Sequence, residues 1–315
     1  MEREDLKDFS VVVPVFNSEK SLTELFERLK RVFNSMNNTF EVIFVNDCSK
    51  DNSYEVLKNI YEENQDVIVI DLMKNYGQQN ALMCGFNYCN GKYIITLDDD
   101  LQNPPEEIPK LYQKIIKGYD VVLGTYQIKR HNLYKNIGSY LIRKLNNKIF
   151  STEDKIKFSS FRIVKKSIIN EIKLICTPFP YVSGMILSVT SSIANVEIDH
   201  FPRKHGKSNY NLKKLINLSF NLLINYSSIP LRFIGTLGLI ISVLYFLLGC
   251  IYILRKLILG TPPAGWTTII VLISFYNSII LIIFFILGEY ISRILRELSN
   301  YRQFTIREVL KRKKD

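Results

Sequence analysis

Two charge-free apolar runs limit what this chain can fold into. They span Phe233–Leu254 and Gly265–Gly288. Each exceeds the roughly 20 residues that a helix needs to cross a hydrocarbon layer of about 30 Å. Two such runs joined by a ten-residue connector, 255–264, predict a transmembrane hairpin. The connector carries Arg255 and Lys256. The outer flanks carry Lys213, Lys214 and Arg232 on one side, and Arg293, Arg296, Arg302, Arg307 and Lys311–Lys314 on the other. The excess of positive charge outside the hairpin places the N-terminal domain and the C-terminus in the cytoplasm, in a multi-pass protein of the cell (inner) membrane. Residues 208–232 have an apolar periodicity interrupted by Lys213 and Lys214. They read as an interfacial amphipathic helix, or equally as a last helix packed on the soluble domain. Residues 289–315 read as an amphipathic basic tail.

The remaining residues, 1–207, have the length of one soluble domain with a full core. Over the 315 residues, 47% are hydrophobic and 23% charged, which excludes a disordered chain. Five scattered cysteines and three unclustered histidines suggest neither a disulfide framework nor a zinc site. The net charge of +11 sits largely beside the apolar runs, which favours an anionic membrane surface over nucleic acid as its partner. The charged start, Met1–Phe9, lacks the apolar stretch of a signal peptide.

Within 1–207, apolar strands alternate with helical patterns. Strands are predicted at 9–16, 40–47, 66–73, 92–98 and 120–125, with helices at 19–33, 52–63, 78–89, 105–117 and 133–149. This alternation predicts an α/β fold with a parallel sheet covered on both faces. Ligands of such sheets bind beyond the carboxyl ends of the strands. The usual phosphate cradles, GxGxxG after the first strand or GxxxxGK[ST], are missing, which removes the dinucleotide and P-loop readings.

Acidic residues end the strands instead: Asp47 after the second, and Asp98-Asp99-Asp100 after the fourth. Adjacent like charges repel, so a divalent cation would account for them. Mg²⁺ and Mn²⁺ favour oxygen ligands shared between carboxylates and substrate phosphates. Asp98 and Asp100 would share one side of a continuing strand, and Gln102 could add a carbonyl oxygen. A solvated acidic turn before a helix is the simpler alternative.

Three segments together resemble the signature of family 2 glycosyltransferases with a GT-A fold: Val13–Asn17, Val45–Asp51 and Leu97–Glu106. Arg203–Tyr210 resembles the RxxGxSxY segment of polyprenyl-phosphate glycosyltransferases. Gly265–Thr267 and Gly288–Arg293 resemble the second span and exit of the bactoprenol glucosyltransferase branch, with dolichol-phosphate mannose synthases as more distant relatives. The resemblance covers nearly the whole chain. It implies transfer of a sugar from a nucleotide-diphosphate donor, a UDP-sugar such as UDP-glucose, to undecaprenyl phosphate, with inversion. It also implies Mg²⁺ or Mn²⁺ as cofactor and a homotetramer.

The resemblance further implies site roles. Pro14, Phe16 and Asn17 would line the base and ribose pocket, and Asp47 would take a hydrogen bond from the base. Asp98, Asp100 and Gln102 would hold the metal, with Asp99 beside the donor. Arg162 would face the active site. Arg203, Lys207, Ser208 and Lys135 would meet the acceptor phosphate. Some positions depart from the family pattern. Ser18 replaces the first of two glutamates, leaving Glu19 for the donor. Ser160 stands where many relatives have Asp, and Tyr126 where many have Arg. Lys129, Arg130 or Lys135 could supply that charge.

A phosphate monoester, with a second pKa of about 6, is largely ionised at neutral pH and needs no strong general base. A Ser at position 160 is therefore compatible with lipid-phosphate transfer. Three rival readings carry less. A processive synthase would have a QxxRW motif, which the sole tryptophan, Trp266, does not belong to. A flippase-like carrier would place polar residues in its spans, where only Asn277 is a candidate. A membrane-anchored nucleotide-sugar sensor would bind donor without turnover.

Overall fold

The computed structural model describes residues 7–125, 156–175, 177, 180–199, 201, isolated positions between 236 and 258, 265–298 and 303–312. Two compact units emerge: Met1–Tyr210 with Arg302–Asp315, and Asn211–Tyr301. The expected helix at 133–149, the segment 208–232, and nearly all of 233–264 lie outside the described residues.

The first unit is built on β1 (Phe9–Val15), α1 (Leu22–Met36), β2 (Phe40–Asn46), α2 (Ser53–Glu63), β3 (Val67–Leu72), α3 (Gln78–Phe86) and β4 (Tyr93–Thr96). A short 3-10 turn, Pro105–Glu107, leads into α4 (Ile108–Ile115). Then come β5 (Val121–Thr125), β6 (Arg162–Lys165), α5 (Lys166–Lys173), α6 (Val182–Val189) and β7 (Ile193–Glu197). The second unit contributes α7 (Trp266–Leu298), and the chain returns to the first unit as β8 (Ile306–Leu310).

The eight strands form one sheet in the order β7-β5-β6-β4-β1-β2-β3-β8. Residues of β1, β2 and β3 are buried on both faces, which explains their near-continuous apolar text. One core lies on the side of α1, α2 and α4. There Leu22, Leu25, Phe26, Leu29, Val32 and Phe33 recur at helical spacing on α1 and meet β1 and β2. Phe33 stacks on Phe40 with ring centroids 4.7 Å apart. The other core joins α3, α5 and α6 to the opposite face. Gly85 makes this possible, because α3 lies against Val12 and Val45 with no room for a Cβ.

The structure corrects the expectation of a parallel sheet. β4, β1, β2 and β3 are parallel, but β6 runs antiparallel to β4 and β5, and β8 antiparallel to β3. Alternation cannot reveal this, since strand direction depends on the route of the intervening chain. The reversal has a consequence for chemistry. Arg162, the first residue of β6, pairs with Thr96, the last of β4, and so lies at the sheet's carboxyl edge.

A second correction concerns the tail. Residues 306–310, read within the amphipathic basic tail 289–315, form the edge strand β8. Their apolar residues Ile306, Val309 and Leu310 pack on the cores. In addition, the second apolar run and the amphipathic 289–298 are one uninterrupted helix, α7. Its 33 residues span about 50 Å. Within it, Phe275–Ser292 is long and apolar enough to cross a membrane, the only such stretch among the described residues.

Candidate active site

Three loops leave the carboxyl ends of β1, β2 and β4, and each contains a non-glycine residue in the left-handed region: Asn17 (φ 56°), Cys48 (φ 57°) and Leu101 (φ 59°). For Leu this conformation is costly, by roughly 1 kcal/mol or more. Its side chain is buried, and packing holds it there. Such backbone turns gather at functional sites because tight loops must aim several groups at one place.

The β4 loop carries the acidic triplet. The Asp98 carboxylate receives Gln78 Nε2 at 2.6 Å on one oxygen and Ser160 Oγ at 2.5 Å on the other. Burial pushes its pKa up, opposed first by the Ser160 hydroxyl and raised again by the nearby Asp100 charge. Asp99 turns the other way. Its Oδ2 accepts the Phe16 amide at 3.1 Å, and its carbonyl accepts the Ser21 hydroxyl at 2.6 Å. Burial lifts its pKa to about 6, against hydrogen bonds from Ser18 and the Phe16 amide. Asp100 Oδ1 caps the Gln102 amide at 3.1 Å. Gln102 is further tied to Phe201, whose amide donates to the Gln102 carbonyl at 2.9 Å.

Arg162 lies beneath this loop, 2% exposed. Its Nε donates to Thr96 Oγ1 at 3.0 Å and one Nη to Ser183 Oγ at 3.2 Å. Thr96 Oγ1 in turn donates to the Ser160 carbonyl. Among the described residues the guanidinium forms no ion pair, and burial lowers its pKa to about 10. Arg162, expected to face the active site, is thus held under the loop rather than exposed at it. It is a buried cation under the aspartates, linked to Asp98 through Thr96 and Ser160.

Asp47 is also buried, and both its oxygens are occupied by the amides of Tyr76 (2.7 Å) and Gly77 (2.8 Å). Burial raises its pKa and these amides pull it down. Gly77, at φ 87°, starts α3 and delivers the neighbouring Gln78 to Asp98. Asn17 connects the first two loops. Its amide donates to Ser49 Oγ at 3.0 Å, and its Oδ1 accepts the Lys50 amide at 2.7 Å. Glu19 Oε2 accepts the Asn52 amide at 3.0 Å. Phe16 is 40% exposed at the mouth, an apolar ring available for stacking, and Pro14 is buried within β1.

The described structure thus brings Pro14, Phe16, Asn17, Glu19, Asp47, Asp98, Asp99, Asp100, Gln102 and Arg162 to one edge of the sheet. Arg203, Lys207, Ser208 and Lys135 lie outside the described residues, as does Tyr126. Sequence reasoning missed Gln78, Thr96, Ser183 and the carboxylate-binding role of Ser160. Only Gly77 before Gln78 gave a local signal, a turn glycine opening a helix.

The donor set suits a hard cation. Asp98, Asp100 and Gln102 offer oxygens only, and the Asp100 charge penalises that of Asp98. Among the described residues no three His, Cys, Asp or Glu side chains converge on one point. Mg²⁺ or Mn²⁺ usually takes one or two carboxylates from the protein and leaves positions for water and substrate phosphates.

An eight-stranded mixed sheet with an acidic loop at its carboxyl edge is compatible with a nucleotide-sugar-dependent glycosyltransferase, and the family match decides it. Residues 10–173 match glycosyl transferase family 2, and the chain belongs to that family: it is a glycosyltransferase. It is 36% identical over 98% of its length to the undecaprenyl-phosphate 4-deoxy-4-formamido-L-arabinose transferase of Photorhabdus laumondii, covering 96% of that protein. The enzyme of the same name from Proteus mirabilis is 33% identical over 99% of this chain and 96% of its own. The uncharacterized glycosyltransferase YkcC of Bacillus subtilis is 32% identical over 92% of this chain and 90% of its own. Among solved structures, glucosyl-3-phosphoglycerate synthase from Mycobacterium tuberculosis, in complex with Mn²⁺, UDP and phosphoglyceric acid, superposes with a TM-score of 0.53. It is 16% identical, covering 69% of this chain and 76% of that one, which supports the GT-A-like fold.

Proposed function

We propose that this enzyme moves a sugar from a uridine-diphosphate donor onto undecaprenyl phosphate or a closely related polyprenyl phosphate. The observation that carries the reading is the extent of the match: relatives named for that acceptor align along nearly the whole chain, the apolar runs between 233 and 288 included. UDP-glucose has no special support as donor, and an L-arabinose bearing a 4-formamido group is the substrate class those relatives name.

In this reading Phe16 stacks on the base, Pro14 and Asn17 shape the ribose pocket, and Asp47 fixes the loop at 76–77 beside it. Glu19 holds the β1 and β2 loops together from the rim. Asp98, Asp100 and Gln102 would hold Mg²⁺ or Mn²⁺, which neutralises negative charge growing on the departing diphosphate. Asp99 locks Phe16 in place, and Arg162 offsets the clustered aspartates from below. Arg203, Lys207, Ser208 and Lys135 gather the acceptor phosphate, where arginine suits bidentate contact. The acceptor oxygen is already ionised, so Ser160 need only orient Asp98 and no side chain must remove a proton.

The long apolar helix α7 and the apolar run before it would anchor the enzyme as a hairpin in the cytoplasmic membrane. A polyprenyl tail leaves the bilayer only at about 0.8 kcal/mol per CH₂, so the catalytic unit must work at the surface. A homotetramer is part of this proposal. The test is to incubate purified full-length enzyme with undecaprenyl phosphate, Mn²⁺ and a panel of UDP-sugars, then weigh the lipid product by mass spectrometry. A glycosyl-phospholipid with one sugar supports the reading. Long glycan products, or donor binding without transfer to any lipid phosphate, would overturn it.

A further inference from the structure

We infer that Arg307, on the C-terminal strand, is a positioning residue for the nucleotide pocket. The inference rests on the donor site proposed above. Strand β8 enters antiparallel beside β3, with Leu72 opposite Ile306 and Asp71 opposite Glu308. Arg307 is the extra residue at this irregularity, a bulge of the kind that re-aims a side chain. Its guanidinium turns to the sheet's carboxyl edge. One Nη donates to Asp71 Oδ2 at 2.9 Å and the other to the Met73 carbonyl at 3.2 Å.

Asp71 is 1% exposed, whereas the Arg307 side chain is 53% exposed. A buried carboxylate in the second edge position of a sheet demands a cation and full hydrogen bonding. Its other oxygen accepts Asn46 Nδ2 at 2.7 Å, directly across the β2–β3 pair. Asn46 Oδ1 then accepts the Ser49 amide at 3.2 Å, and Ser49 Oγ accepts the Asn17 amide at 3.0 Å. Hydrogen bonds therefore run without a gap from the C-terminal strand, through β3 and β2, to the left-handed turn at Asn17. Cys48, also left-handed, sits inside this run, and its thiol approaches the same Met73 carbonyl at 3.8 Å. The segment that follows α7 thus fastens the two loops that would enclose the base and ribose.

Strand β8 has a second side-chain tether, Tyr54 OH to Glu308 Oε2 at 2.5 Å, in the first turn of α2 and outside the run from Arg307 through Asp71, Asn46 and Ser49 to Asn17. Tyr54→Phe cuts that tether and serves as the control for loosening the strand alone. The experiment compares full-length wild type, Arg307→Met, Arg307→Lys and Tyr54→Phe in detergent. It reads amide hydrogen exchange over residues 46–50 and 16–18 without ligand, and the Kd for UDP with Mn²⁺. Arg307→Met should exchange roughly tenfold faster over both loops, and UDP should bind roughly tenfold more weakly. Arg307→Lys should recover part of both, and Tyr54→Phe should change neither by more than about twofold. Should Arg307→Met not fold, Arg307→Gln, which keeps donors but not charge, takes its place. Unchanged exchange at 46–50 in the Arg307 variants, or equal losses with Tyr54→Phe, would overturn the inference. Wild type failing to bind UDP would instead count against the donor reading, while the exchange data still decide the role of Arg307.

Discussion

Gly85→Ala should push α3 off the sheet and weaken the site from a distance. A Cβ there would lie closer than 3.0 Å to Val12 Cγ1 and 3.2 Å from Val45 Cγ2. Ordinary carbon contacts need about 3.5–4.0 Å, so the helix must retreat by roughly 1 Å. Val12 is fully buried in the central strand with a stiff β-branched side chain, so it cannot step aside. Overpacking of this kind costs about 2–3 kcal/mol. For a domain of this size that lowers Tm by about 5–10 °C. The first turn of α3 supplies Gln78 to Asp98, so affinity for UDP with Mn²⁺ should fall as well. Circular dichroism is the suitable probe, because the single tryptophan, Trp266, lies in α7, outside the catalytic unit. Val12→Ala removes the obstructing methyls at a cost of about 2–3 kcal/mol alone. The double variant Val12→Ala/Gly85→Ala should then lose at least about 1 kcal/mol less than the two losses added together. Full additivity, or a Gly85→Ala protein with unchanged Tm, would refute the close approach of helix and strand.

Other expectations follow from the same geometry. Asp99→Asn should stabilise the fold above pH 6 while reducing turnover. A carboxylate raised from 3.8 to about 6 costs stability as pH rises through that window, and the asparagine avoids it. The full shift corresponds to roughly 3 kcal/mol, and solvent at the half-open site reduces this to about 1–2 kcal/mol in thermal melts at pH 7.5. Asp120 works in the opposite sense: Lys165, then Thr190, hold its pKa below the usual carboxylate value. Its contribution is present above the unfolded carboxylate pKa and is lost as pH falls through the lowered one. Asp120→Asn should therefore cost under about 1 kcal/mol at pH 7 and nothing in strong acid, by urea unfolding at the two pH values. Asp100→Ala should abolish sugar transfer with Tm within about 3 °C of wild type, since its side chain is half-exposed and sits outside both cores. Ser160→Ala should lower kcat/KM by roughly tenfold through a misoriented Asp98, whereas a base-catalysed mechanism centred on position 160 predicts a far larger fall in a lipid-transfer assay.

Much of the candidate site was legible because its residues are consecutive. Asp98-Asp99-Asp100 and Gln102 sit together in the text, and strand ends gather such loops whatever the details of the sheet. The partners that tune them were not legible, because they come from distant segments. Gln78 arrives on α3, Arg162 on a reversed strand with Ser160 in the segment just before it, and Ser183 on α6. Helix starts shifted for a related reason. α1 begins at Leu22 rather than at residue 19, because Ser18 and Glu19 are drawn into bonds with Ser53 and Asn52.

Local pattern by itself determined the elements as far as β5, while β6, α5, α6, β7 and β8 were not among those it predicted. Period-two and continuous apolar runs set the strands, helical spacing set α1, α2 and α4, and the charge-free stretch produced a helix of membrane-crossing length. Tertiary structure alone decided direction and pairing. Nothing in Arg162–Lys165 or Ile306–Leu310 dictates that these strands run antiparallel to their neighbours, since a strand's hydrophobic pattern reads the same either way. That choice places Arg162 beneath the aspartates and Arg307 against buried Asp71, because only a reversed strand brings its first residues to the carboxyl edge where the chemistry lies.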